Sequence, residues 1–224
     1  KKALLEHQFH GRTSSLAEIE RAFKACMASR EISRNLAALK AAGADVHYYP
    51  VDVRDFEAVR TTIEAIRANH GDITGIIHGA GVLEDRLIAD KTPEQFERIF
   101  GTKVDGLLNL LQAAGQDNLK YLVIFSSVAA RFGNKGQVDY AMANEVLNKI
   151  AQAESTKNAG CKVVSINWGH WDSGMVTPGL RREFERRGIH LIPADKGARC
   201  LIHEMSAGDK AAVEVVIGAE IADE

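Results

Sequence analysis

The chain has 224 residues, enough for one sizeable α/β domain and short for two. With 46% hydrophobic and 26% charged residues and only four prolines, it is not a disordered or linker-rich polymer. A net charge of -2 gives no bulk pull toward nucleic acid or anionic membrane, and no apolar run reaches the ~20 residues that cross a bilayer.

The opening stretch, KKALLEHQFHGRT, is interrupted by Glu6, His7 and Gln8, which argues against a secretory signal. Residues 15–42 carry Leu16, Ile19, Phe23, Met27, Ile32, Leu36 and Leu39 at three- and four-residue spacing, and read as one helix or two. Gly43 closes the segment as a C-terminal cap. ADVHYYPVDV then reads as a strand ending near Asp52, followed by an amphipathic helix over 55–70 that stops at His70-Gly71. Ile73 to Ile77 is a short buried strand running into a glycine turn. Thr92-Pro93-Glu94 opens a helix that continues to Ala114. Residues 119–126 form a buried strand, 140–155 a helix, 161–169 a strongly apolar strand, and 213–220 a last strand. The arginine-rich segment between Pro178 and Pro193 reads as a polar helix, a lid over a substrate or a solvated surface helix.

Strands alternating with helices imply a mostly parallel sheet covered on both faces, the doubly wound, Rossmann-like arrangement. In such sheets ligands bind beyond the carboxyl ends of the strands. Those ends carry His78-Gly79-Ala80-Gly81, Ser126-Ser127 and Trp168-Gly169-His170-Trp171, where small residues let a flat ligand approach the backbone. In YAMAN, the i,i+4 spacing sets Tyr140 and Asn144 on one helix face. Cys26, Cys161 and Cys200 lie far apart, which supports neither a disulfide framework nor a zinc site and fits a reducing cytoplasm. No residues have metal-ligand spacing, and no basic stripe suits a nucleic acid.

HGAGVLEDRLIADKT, FERIFGTKVDGLLNL, FSSVAARFGNKGQVDYAMANEVLN and NWGHWDSGM together resemble the short-chain dehydrogenases/reductases. More narrowly, they resemble the ketoreductase domains of modular polyketide and polyunsaturated fatty acid synthases. The likeness runs from about residue 11 to the end and implies NADPH-dependent reduction of a β-ketoacyl thioester on an acyl carrier protein, among neighbouring synthase domains. It implies Tyr140 as general acid, Ser127 as donor to the substrate carbonyl, Lys103 as the lysine and Asn144 as the asparagine of a tetrad. Ser127 is favoured over Ser126 by spacing. A lysine beside the tyrosine is expected to draw its pKa down from ~10. Gly11 and Arg12, in GRT, would meet the adenosine 2′-phosphate. Asp52 and Val53 would meet adenine, and Gly79, Ala80 and Gly81 the adenosine–ribose path.

Leu83, Asp85, Trp171 and Met175 would face the substrate. Leu83-Glu84-Asp85 stands where B-type ketoreductases carry LDD, and Phe132 where A-type enzymes carry tryptophan, so a D-configured (R) hydroxyl is expected. The family's first strand and glycine-rich phosphate turn have no counterpart before Gly11. The expectation is therefore one catalytic domain over 1–224, incomplete at its N-terminus and binding NADPH weakly by itself. Two competing readings are a non-catalytic Rossmann domain that supports neighbouring synthase domains, and a free-standing dehydrogenase for a small ketone.

Overall fold

The structure, a computed structural model, describes residues 15–115, 117–172, 176, 178–207 and 212–218. The chain divides after Pro50 into two compact units. The first contains α1 (Leu16–Ala41), one continuous helix. Its start is fixed by a capping box in which the Ser15 side chain accepts the Glu18 N–H, while the Glu18 carboxylate accepts the Ser15 N–H. Gly43, at φ +88°, ends it.

The strand expected over 44–53 is not formed. Residues 44–50 have no regular secondary structure, with Tyr48 and Tyr49 exposed, and make no ladder among the described residues. Alternating β-propensity supplies a strand's shape but not its partner, and without a partner there is no strand.

The second unit is a four-stranded parallel sheet in the order β1 (Gly75–His78), β2 (Tyr121–Ser127), β3 (Lys162–Trp168), β4 (Glu214–Ile217). All seven residues of β3 are buried, and Val163, Val164, Ile166 and Trp168 make most of it apolar. Register pairs Leu122 with Val163 and Val123 with Val164, so successive residues feed opposite cores. On one face Leu122, Ile124 and Val163 pack with Leu107 of α3 (Pro93–Ala113) and Leu147 and Ala151 of α5 (Val138–Lys157). On the other, Val123, Val164, Ile166 and Trp168 pack with Ile192 and with Cys200, Leu201 and Met205 of α7 (Ala194–Ser206). Helices on both faces make the sheet doubly wound, as the alternation of elements required.

α2 (Phe56–His70) begins where the Asp55 carboxylate accepts the Ala58 N–H and ends at Gly71, φ +84°. It is held by Arg67, which grips the buried Asp117 carboxylate with two N–H donors at 2.8 and 2.9 Å. α3 opens with Pro93 behind a Thr92/Gln95 capping box. Ile99, Lys103, Val104 and Leu107 make its buried stripe, and Gly106 lets Val53 approach so closely that a Cβ there would lie 2.7 Å from its methyl carbon. A short helix, α4 (Ala129–Phe132), follows β2, and α6 (Pro178–Arg186) precedes α7. α6 is anchored by Phe184, whose ring stacks on His170 at 4.2 Å. Among the described residues no helix is long and apolar enough to cross a membrane.

Candidate active site

Lys103 reaches the site from the middle of α3. Its side chain is 3% exposed, and Nζ donates to the Phe125 carbonyl at the end of β2, 3.1 Å away. Nζ also lies 5.2 Å from the centroid of the Tyr140 ring, on the first turn of α5. Burial pulls the Lys103 pKa from 10.5 to about 8. The ammonium is therefore held charged at neutral pH against the preference of its surroundings. Gly81 makes room for it: a Cβ there would come within 3.1 Å of Lys103 Cε.

Tyr140 is half-buried. Burial raises its pKa above the ordinary phenol value, the Ser127 and Asn144 side chains pull the other way by hydrogen bonding, and the Asp85 charge raises it further. The direction is opposite to the one expected from a neighbouring lysine. Removing the phenolate from water costs more than the adjacent donors return.

Alternation along β2 separates the two serines. Ser126 points inward, where its hydroxyl is shared between Asn167 Oδ1 (2.9 Å) and the Asn144 carbonyl (3.1 Å). Ser127 points to Tyr140, and its Oγ accepts the Ala129 N–H at 3.1 Å, which leaves its own hydrogen to donate elsewhere. Asn144 donates to the Tyr140 carbonyl at 2.7 Å, while its Oδ1 is buried with no partner among the described residues. The four residues from α3, β2 and α5 thus meet at the carboxyl ends of the strands.

Behind them lies a polar network that sequence reading missed. Asn167 accepts from Ser126 and from Asn148 Nδ2 (3.1 Å) and donates to Glu214 (2.9 Å); Asn148 in turn accepts from Ser165 (2.7 Å). Arg131 closes it with contacts of 2.5 Å to both Glu145 and Glu214. Polar residues in strands as apolar as β2 and β3 were the available signal.

His78 is also buried. Nε2–H donates to the Lys103 carbonyl at 2.8 Å, which holds the lysine's backbone. Burial, and secondarily the Lys103 charge, lowers its pKa from 6.5 to about 4, against that hydrogen bond. Between those values the unfolded imidazole takes up a proton that the folded one refuses, so stability falls as pH drops through this window. We expect roughly 2–3 kcal/mol to be lost between pH 6.5 and 4. Urea midpoints across that range should flatten in His78→Gln; an unchanged slope would assign the acid sensitivity to other groups.

Asp52 is half-exposed and clasped by Arg54 at 2.6 to 3.2 Å, which holds its pKa down to about 2. The Val53 carbonyl accepts from Asn109 at 2.9 Å. Gly79, Ala80 and Gly81 follow β1, with Phe125 the nearest neighbour to a Cβ at Gly79, 3.9 Å away. Leu83 is exposed. Asp85 accepts from Gln137 Nε2 at 3.1 and 3.2 Å, whereas Glu84 turns to α3, accepting from Gln95 at 2.7 Å and pairing with Arg98 at 3.6 Å. Trp171 packs edge-on against Trp168 at 4.7 Å and covers Gly197 of α7, a packing position. Gly11, Arg12 and Met175 lie outside the described residues.

A lysine, a serine, a tyrosine and an asparagine thus stand at the carboxyl ends of a doubly wound parallel sheet, the place where such sheets bind ligands. The chain belongs to the KR domain family, whose model matches residues 13–173. It is 45% identical over 173 residues to a polyunsaturated fatty acid synthase polypeptide of Thraustochytrium sp., covering 77% of this chain and 6% of that protein. It is 33% identical over 183 residues to polyketide synthase PksL of Bacillus subtilis, covering 78% of this chain and 4% of that protein. Among solved structures it is similar to an N-terminal ketoreductase from the macrolactin assembly line, with TM-score 0.73 and 33% identity over 84% of this chain and 36% of that one. It is likewise similar to a ketoreductase domain from the bacillaene assembly line, with TM-score 0.72 and 33% identity over 82% of this chain and 45% of that one. The chain thus spans a small part of these synthases and less than half of these two solved chains.

Proposed function

We propose that this chain reduces a β-ketoacyl thioester, presented on an acyl carrier protein, to the β-hydroxyacyl thioester at the expense of NADPH. The observation that carries the reading is the buried Lys103 ammonium 5.2 Å from the centroid of the Tyr140 ring, with Ser127 at the end of β2 and Asn144 one helical turn after Tyr140. Ketone reduction builds negative charge on oxygen, and donors placed in advance stabilise it. Ser127 donates to that oxygen and Tyr140 delivers its phenolic proton to it, so the ketone gains one proton there. Lys103 then faces the developing tyrosinate, and its charge stabilises that species. Asn144 fixes the first turn of α5 through the Tyr140 carbonyl.

NADPH, when bound, supplies the hydride that adds to the carbonyl carbon. The small residues Gly79, Ala80 and Gly81 fit a flat ligand at the end of β1, and Asp52 and Val53 fit its adenine side. Gly11 and Arg12 are the residues that the family resemblance assigns to the 2′-phosphate. Leu83-Glu84-Asp85, standing where B-type ketoreductases carry LDD, favours the B-type outcome, a D-configured hydroxyl.

The test is loss of NADPH absorbance with a β-ketoacyl N-acetylcysteamine thioester, with the product resolved by chiral chromatography. A D-hydroxyacyl product supports the reading in full. An L-product would overturn only the stereochemical part. Absence of turnover in a folded, NADPH-binding protein would favour a structural domain that supports its synthase.

A further inference from the structure

The proton transfer from Tyr140 makes no use of a buried ion pair next to it. Lys91 follows the 3-10 turn Ile88–Asp90, and Asp139 sits on the first turn of α5, one residue before Tyr140. Lys91 Nζ lies 2.5 Å from Asp139 Oδ2, with the two side chains 5% and 1% exposed. The same Nζ donates to the Glu84 carbonyl at 2.9 Å, and Asp139 Oδ1 accepts the Tyr140 N–H at 2.9 Å. One ammonium therefore ties the backbone of Leu83–Asp85 to the residue that holds the backbone of Tyr140. Two further ties run alongside it: the Arg86 N–H donates to the Gly136 carbonyl at 2.9 Å, and Gln137 donates to Asp85.

A buried ion pair is a costly way to join two segments, since apolar side chains of similar volume often hold a fold as well or better. What apolar contact lacks is direction. An ammonium with three N–H donors, aimed at a carbonyl on one segment and a carboxylate on the other, admits one relative placement. We propose that Lys91 and Asp139 form a positioning pair that determines specificity. It sets the orientation of Leu83–Asp85 over Tyr140, and thereby which face of the β-keto thioester is presented for reduction. This rests on the ketoreductase reading.

The experiment uses the full polypeptide that carries these residues, with a β-ketoacyl N-acetylcysteamine thioester and NADPH, and reads the ratio of D- to L-hydroxyacyl product. That ratio does not depend on how much of the protein is active. Lys91→Met strands a buried carboxylate, so the informative variant is the double Lys91→Met/Asp139→Asn, which strands no charge. We expect it to turn over with a D-to-L ratio about tenfold lower, the size of one lost hydrogen-bonded constraint on two competing transition states. Lys91→Arg, which keeps the cation, should recover most of the ratio. A double variant with reduced rate but the wild-type ratio would make the pair merely structural and overturn the proposal. Absence of turnover in the wild type overturns the ketoreductase reading itself, a separable result.

Discussion

Tyr140→Phe should lower kcat for β-keto thioester reduction by about 10²- to 10⁴-fold while leaving KM and NADPH affinity nearly unchanged. The phenylalanine ring keeps the packing of α5 and the face over which Lys103 Nζ lies, and removes only the proton donor. No buried polar group is stranded, because Ser127 keeps its bond from the Ala129 N–H and Asn144 keeps its bond to the residue-140 carbonyl. A loss in KM rather than kcat would move Tyr140 from proton donor to binding group. The pH profile adds a second check. Burial holds the Tyr140 pKa above 10, so the phenol stays protonated across the neutral range. Lys103, at about 8, loses its charge first. The alkaline limb of the rate should therefore fall through about pH 8 and report the lysine.

Lys103→Met should give a protein that is more stable and nearly inactive. The folded pKa of Lys103 lies below its unfolded value, so its charge opposes folding. That opposition is fully present below pH 8 and is relieved as pH rises from 8 toward 10.5. It amounts to about 3 kcal/mol. Methionine recovers this but forfeits the bond from a charged donor to the Phe125 carbonyl, worth about 1.5–3 kcal/mol, so a net gain of at most about 1.5 kcal/mol is expected at neutral pH. The gain should shrink as pH approaches the ordinary lysine range. Activity should fall about 10²- to 10³-fold, because the tyrosinate loses its counter-charge. Thermal or urea unfolding of both proteins at about pH 7 and about pH 10 measures this. A variant less stable than the wild type at neutral pH would show that the lysine's contacts outweigh the cost of burying it.

Local pattern carries most of the fold. The Thr92-Pro93 start of α3, the apolar runs of β2 and β3, and the stop at Gly71 are each decided within a few residues, and each is legible in the sequence. The strand expected over 44–53 is not, because strand formation depends on a neighbour that no local pattern specifies. α7 leaves little trace, since Cys200, Leu201 and Met205 make sense only against the far face of β3. Lys103, Ser127, Tyr140 and Asn144 can be picked out by motif, but their electrostatics cannot. The direction of the Tyr140 pKa depends on burial created by packing, and the Lys91–Asp139 pair joins residues 48 positions apart.

β2 has a pairing strand on both sides and delivers three different services from three successive residues. The Phe125 carbonyl anchors Lys103, Ser126 fastens the inner network, and Ser127 turns to Tyr140. Since side chains alternate with a period of two, a one-residue length change anywhere upstream in β2 would turn each serine to the opposite face at a stroke. Most single substitutions there would trim one service. A deletion would rewire all of them, so over evolutionary time this strand should drift in composition far more freely than in length.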